Sequence, residues 1–287
     1  MTRDPALRRR TRFAPLLILA LLAAFVAAPA PAAAADAMTV TDAELAMVQA
    51  LNADRTARGL VPVRIDSRLM SIARGRSVDM ATKHYFSHTQ PDGRNVFNIL
   101  NAKSIKWYTA GEIIAKNNYG TLAQSVEGAN IQWMNSAGHK AIIVSTSMNY
   151  VGVGLAIEAG TGVKYWTAVY IKGPDRTGAR ATAAQPLVSA GSTSTTKRVT
   201  VSWTGADVKL QVLTSGLYIF RLQRRVDGGS WVNISTGTTA KSATYQLATN
   251  HTYDFRVAAR DKAGNWGAWS TATATLEPTV GAVSATR

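Results

Sequence analysis

The chain has 287 residues, no cysteine, and 32 Lys and Arg against 17 Asp and Glu, for a formal net charge of +15. Its length exceeds one average domain and predicts two, and the absence of cysteine excludes disulfide staples, so each domain must stand on its own apolar core. The positive charge favours anionic partners, but it is scattered rather than clustered with aromatic residues, which argues against nucleic acid.

Arg8, Arg9, Arg10 and Arg12 precede an apolar run from Phe13 to Ala28 and a stretch of Pro and Ala up to Ala35. This is the three-part layout of a secretory signal peptide, expected over residues 1–35 with the cut before Asp36. The run is shorter than the roughly 20 residues a bilayer core requires, so a cleaved signal is expected rather than an anchor. Phe13 sits one place too late for a twin-arginine signal, which favours the general secretory route. The remaining chain keeps a net charge of +11. Outside a cell, its expected partners are an anionic envelope polymer, a glycan or lipid headgroups. No later stretch has the length and apolarity of a membrane span.

Thr41 to Glu44 read as a capping box, and Leu45, Val48 and Leu51 form a helical stripe before Gly59 and Pro62. Asp66 or Ser67 caps a second helix, with Leu69, Ile72, Ala73 and Met80 at helical spacing and an end near His84. Pro91, Asp92 and Gly93 form a turn inside the loop from Tyr85 to Arg94. A short helix is expected over 96–101 and a short strand at Gly111 to Ala115. Thr121 caps a third long helix with Leu122, Val126, Ala129 and Trp133 on its buried face, ended around Gly138. From Tyr150 the period becomes two, and Val151 to Ile157 with Lys164 to Lys172 read as an antiparallel hairpin with one face buried. Helices followed by a hairpin predict an α+β or three-layer arrangement over 40–172.

Residues 173–196 are rich in Ala, Thr, Ser, Gly and Pro and read as a linker. Over 197–277 the signals are again period two: VTVSW at 199–203, YIFRLQRR at 218–225 and YDFRVAAR at 253–260. They predict an all-β sandwich, followed by a tail over 278–287.

His84, His88 and His139 are the histidines of the first part, and their spacing matches no local zinc motif. The chain also lacks a nucleophile elbow, a P-loop and a dinucleotide fingerprint. Glu112 is a carboxylate in an apolar strand, where burial requires a cation or donor nearby. Arg74, Arg76, Lys83 and Lys140 read as a solvated face, and Trp107, Tyr108 and Trp166 as packing residues. His84 and His88, four apart, would share a helix face only if the second helix ran through them, which Tyr85 and Phe86 argue against.

The strings LNADRTARGL, MATKHYFSHTQPDG, YTAGEIIA, WMNSAGHKAII and YVGVGLAI, in this order over roughly 42–171, resemble bacterial members of the CAP (SCP) superfamily of cysteine-rich secretory, antigen 5 and pathogenesis-related proteins. The resemblance implies an α-β-α sandwich with a cleft lined by two histidines and two acids. By position these are His88, Glu112 and His139, while the second acid falls on Ser136. Glu127 lies six residues before Trp133, on a different side of the helix, and does not replace it. His88, His139 and Glu112 would suffice as ligands for Zn2+ with a water in the fourth position; the other reading is that they knit the cleft together by hydrogen bonds.

Trp203, Leu247, Tyr253 and ARDKAGNWGAWS resemble a fibronectin type III domain, an immunoglobulin-like sandwich with a tyrosine corner. Trp231, Trp266 and Trp269 either stack on sugar rings or pack on the sandwich. The CAP resemblance implies a secreted or wall-associated binding module for lipid, glycan or protein ligands, rather than an enzyme, with the β-sandwich as spacer or adhesion module. Two alternatives stay open: a metal-dependent hydrolase of peptide or cell-wall substrate with Glu112 as candidate catalytic base, and a structural adhesin.

Overall fold

The structure is a computed structural model that describes residues 38–277; the expected signal peptide, its cleavage point and the tail lie outside the described residues. Helix α1 (Val40–Thr56) begins at Thr39, whose hydroxyl accepts the Asp42 amide while Asp42 takes the Thr39 amide. The box therefore sits two residues before the expected Thr41–Glu44. Glu44 cannot reach back, because it is fully buried, ion-paired to Arg74 at 2.5 Å and bonded to the Leu155 amide at 3.1 Å.

Strand β1 (Arg64–Ile65) leads into α2 (Ser67–Thr82), capped by Asp66, and the chain continues through α3 (Val96–Ala102) and β2 (Thr109–Asn117). Thr121 caps α4 (Leu122–Asn135) as expected. The chain does not stop at Gly138, however: Ser136 is extended, and a second helix, α5 (Ala137–Ile143), follows in a new direction. The hairpin is β3 (Tyr150–Ile157) and β4 (Lys164–Lys172). The four strands form one sheet in the order β1-β3-β4-β2, with β1 parallel to β3 and the other pairs antiparallel.

This sheet is buried on both faces, not one. Val151, Val153, Trp166, Ala168 and Tyr170 meet Met47, Leu51, Ala129 and Trp133 of α1 and α4. Val169 and Ile171 meet Leu69, Ile72 and Ala73 of α2 and Leu100 of α3 on the other side. The close approach of α2 depends on two glycines of β3: a Cβ on Gly152 or Gly154 would lie 2.1 Å from the α2 backbone. The result is a mixed α/β unit of three layers.

The expected linker is not plain connecting chain. It carries β5 (Arg180–Ala183) and β6 (Leu187–Ala190), both antiparallel to β7 (Thr196–Ala206). Their strand character is concealed because little of them is buried: Ala181 and Ala183 of β5 lean on the core, β6 is exposed throughout, and backbone pairing with β7 holds both. Then come β8 (Leu217–Val226), β9 (Val232–Thr238), β10 (Ser242–Ala248), β11 (His251–Asp261) and β12 (Ser270–Leu276). One sheet runs β10-β7-β5 with β6 also on β7, the other β12-β11-β8-β9. They enclose a core that includes Val201, Trp203, Phe220, Tyr253 and Phe255.

Candidate functional site

The register of the first sheet decides where Glu112 points. It pairs directly with Val169, and opposed residues of an antiparallel pair share a face. Val169 packs under α2, so Glu112 faces α2 as well. On that helix Arg76 follows Leu69, Ile72 and Ala73 along the inward stripe and is 1% exposed. Its Nε donates to Glu112 Oε1 at 2.8 Å, its Nη1 to the Tyr85 hydroxyl at 2.7 Å and its Nη2 to the Ser87 carbonyl at 2.8 Å. The reading of Arg76 as solvated is thus overturned: it is the buried cation that Glu112 requires. Burial opposes its charge, but Glu112 outweighs burial and raises the guanidinium above its ordinary value. Arg74 pairs with Glu44 and Lys83 with Asp79, so neither is simply a solvated charge.

The loop carrying His88 is pinned at both ends. Gln90 accepts the Gly93 amide and donates to the Arg94 carbonyl through the turn at Pro91, Asp92 and Gly93, where Gly93 has φ +84°. Thr89 bridges Asn95, and the Gln90 side chain donates to Asp79 at 2.8 Å. Burial works against the Asp79 charge, yet hydrogen bonds from Gln90, Lys83 and Tyr85 outweigh it and bring this carboxyl down to about 2. His88 Nδ1 thereby reaches Glu112 Oε2 at 2.8 Å. Both oxygens of Glu112 are engaged.

His139 enters from α5, with its ring centroid 6.5 Å from that of His88 and tilted by 50°. Burial, and then the neighbouring His88, hold its imidazole below the usual value of 6.5. Ser136 is the N-cap residue of α5, half-buried, and its side chain makes no capping bond. His84 does not join His88; α2 ends at Thr82, and His84 Nδ1 turns to Glu158 at 2.5 Å. Trp166 is core as expected and Trp107 rests against Phe97, but Tyr108 is exposed because it lies just before β2.

A cavity of about 280 Å³ opens beside the pair, bounded by His88, Asn95, Val96, Phe97, Ala110, Gly111, Glu112 and Ile142. His139 is not among the residues that bound it. Larger hollows elsewhere, about 650 Å³ beside α1 and about 500 Å³ around Asp66 and Arg176, contain no histidine.

As a three-ligand zinc set, His88, Glu112 and His139 fit poorly. Glu112 is committed to Arg76, and among the described residues the group of three whose ligating atoms lie within 4.8 Å of one another is Asp175, Asp207 and Asp261. The two imidazoles alone, with Glu112 behind His88, fit better, because a carboxylate on the far nitrogen fixes the tautomer of a ligating histidine. The three aspartates escaped sequence reading, being scattered over 87 positions; they accept the amides of Thr177, Val208, Ser215, Gly216 and Asn265.

Residues 48–170 match the sequence profile of the cysteine-rich secretory protein family, CAP. The uncharacterized protein YkwD of Bacillus subtilis (strain 168) is 36% identical over 152 residues, covering 50% of this chain and 56% of that protein. The uncharacterized membrane protein YlbC of the same strain is 30% identical over 132 residues, covering 46% and 35%. The chain thus spans about half or less of the length of these relatives. An extracellular protein containing a SCP domain from Bacillus anthracis str. Ames is similar in structure at 23% identity and TM-score 0.40, over 46% of this chain and 41% of that one. Residues 48–170 are therefore a CAP domain, and it is this domain that holds His88, Glu112, Ser136 and His139.

Proposed function

We propose that the chain is an exported binding protein whose CAP domain receives part of a lipid, glycan or protein ligand at the cleft of His88, Glu112 and His139. The observation that carries this reading is the double engagement of Glu112. A general base must be presented to the reacting proton, and here Glu112 is buried with Arg76 on one oxygen and His88 on the other. With Ser136 in place of a second acid, binding is better supported than hydrolysis. Export rests on the arginine cluster and the apolar run before Asp36. Among the described residues no helix is long and apolar enough to cross a membrane.

The second part is proposed to be a fibronectin type III-like sandwich over 197–277, serving as a spacer or adhesion module and now extended to include β5 and β6. Its support is the two-sheet strand order, the buried Trp203 and the Tyr253 hydroxyl donating to the Ala248 carbonyl at 3.3 Å.

Zinc held by His88 and His139 belongs to the same proposal; bound there, it would supply a Lewis-acidic charge for an oxygen of the ligand. Titration calorimetry of the secreted chain with zinc at pH 7.5 is expected to give a heat that His88→Ala with His139→Ala abolishes. The heat should fade as pH drops below about 6.5, because ligating imidazoles must be unprotonated. His139 should protonate only below that value, since burial and then the neighbouring His88 hold its imidazole down. No heat at pH 7.5 removes zinc from the reading. Cleavage of peptidoglycan or peptide by the wild type, lost in Glu112→Gln, would replace binding with hydrolysis.

A further inference from the structure

The outer face of the sheet β12-β11-β8-β9 carries a row that neither the cleft nor the core explains. Strand alternation sends Phe220 and Leu222 inward, so Arg221 and Arg225 of β8 face outward. On β11 the inward residues are Phe255 and Val257, and Arg256 faces outward opposite Gln223. Trp231, Trp266 and Trp269 fold over this face. Arg221 lies 4.2 Å from the Trp266 ring centroid and 4.5 Å from that of Trp269. Arg256 lies 4.5 Å from Trp269 and 4.2 Å from Trp231, and Arg225 closes the row 4.7 Å from Trp231. Ala258, directly opposite Arg221 on the same face, is fully buried, which is how a small residue accommodates the row above it.

This arrangement changes what the tryptophans can do. Trp231 and Trp269 each lie between two guanidinium groups, so their ring faces are not free for a sugar ring or for insertion into lipid. Instead the indoles hold the guanidinium planes in fixed orientations by cation–π attraction, which leaves the in-plane N–H groups to meet an acceptor. The row is also short of negative charge. Arg225 pairs with Asp254 at 2.7 Å, but Arg256 has only the amide oxygen of Gln223, also at 2.7 Å. The Arg221 side chain makes no hydrogen bond to the described residues, and its Nε is shielded from water without a partner. Burial, and then Arg221 and Arg225, push the Arg256 guanidinium below its ordinary value.

We propose that this Arg–Trp row is a docking surface for an acidic polysaccharide bearing a carboxylate on about every second sugar. A carboxylate suits the guanidinium fork, which binds it through two parallel hydrogen bonds. Spacing limits the repeat that the row can meet. Arg221 and Arg256 are separated by one indole with two legs of 4.5 Å, hence by at most about 9 Å. A nucleic acid strand is held largely by stacking its bases on aromatic faces, and here those faces are covered by guanidinium groups, whereas an acidic polysaccharide needs only the in-plane N–H groups. A lipid surface would require exposed apolar groups to insert, and the indole faces here are covered. The surface is separate from the His88 cleft and its test does not depend on ligand binding there.

The test is binding of hyaluronan, an alternating polysaccharide with one carboxylate per disaccharide, to the secreted chain by calorimetry. Dextran, poly(dT) and phosphatidylglycerol vesicles provide the comparison arms. Hyaluronan is expected to bind more tightly than all three and to weaken as salt screens the row. Arg221→Gln with Arg256→Gln should lower its affinity roughly ten-fold or more, as charge-assisted pairs are lost. Because that double variant removes stacking, Gln223→Glu provides a second test: it leaves every Arg and Trp in place and puts a carboxylate beside Arg256. It should lower affinity by about five-fold through competition for the same guanidinium. Unchanged affinity in Gln223→Glu, no hyaluronan binding at all, or tighter binding of poly(dT) or vesicles would overturn the proposal.

Discussion

Without the guanidinium of Arg76, Glu112 would keep only the Nδ1 of His88 as partner while remaining 7% exposed. Removing one member of a buried ion pair strands the other charge and costs about 3–5 kcal/mol, whereas replacing both by apolar groups is often nearly neutral. Arg76→Met is therefore expected to destabilise the chain by about that amount in urea unfolding, and Arg76→Met with Glu112→Leu to recover most of it. Failure of the double variant to recover stability would mean that Tyr85 and the Ser87 carbonyl, rather than Glu112, are the partners that matter. Arg55 shows the other way of burying a cation. It is fully buried with no carboxylate, and donates to the carbonyls of Val61, Ile143, Ser145 and Met148. Burial accordingly lowers its guanidinium from the ordinary value.

At the scale of elements, the pairing of α2 with β3 sets the geometry of the cleft, since α2 carries Arg76 and the sheet carries Glu112. Gly154 tests that pairing: a Cβ there would lie 2.1 Å from the Arg74 amide nitrogen. The obstruction is backbone, so no side chain can swing aside. Gly154→Ala is expected to cost about 3 kcal/mol, at the upper end of usual overpacking penalties, and to weaken His88 and Glu112 contact as α2 shifts. Denaturant unfolding checks the first, and the chemical shift of the His88 ring the second. The period-two pattern of β3 and β4 makes their alternation readable, but a Gly at 152 and 154 reads the same for an exposed face and for one pressed against a helix. The α4–α5 break has a similar origin: Ser136 and Gly138 both signal an end, and only packing lets the chain resume as α5.

At the scale of the whole molecule, the described residues form one compact unit rather than two bodies on a flexible tether. The loop 207–216, between β7 and β8, makes the join. Leu210 is buried in the cluster of Leu69, Ile105, Tyr150 and Ile171, and Gln211 Oε1 accepts the Val61 amide at 2.7 Å. Asp175 accepts the Ser215 amide at 2.8 Å, and Asn265 donates to the Asp175 carbonyl at 3.1 Å. Leu210→Ala is expected to cost about 2–5 kcal/mol and to split a single thermal transition into two, read by calorimetry. One unshifted transition would show that the loop does not couple the halves.

Local chemistry made the main helices and the hairpin of the first part, most of the inward residues and the turn after His88 legible in the sequence, because capping, periodicity and turn preference act over a few residues. It also stated the need of Glu112 for a cation without naming it, and the resemblance of five strings placed His88 and His139 with it. What only the tertiary structure decided lies at long range. Arg76 meets Glu112 across 36 positions, Leu210 enters a core built from residues 69–171, and three tryptophans take guanidinium groups from two strands. Charged and aromatic side chains at such positions have the same local preferences whether solvated or buried. Register and packing, which bring distant segments together, choose between those states.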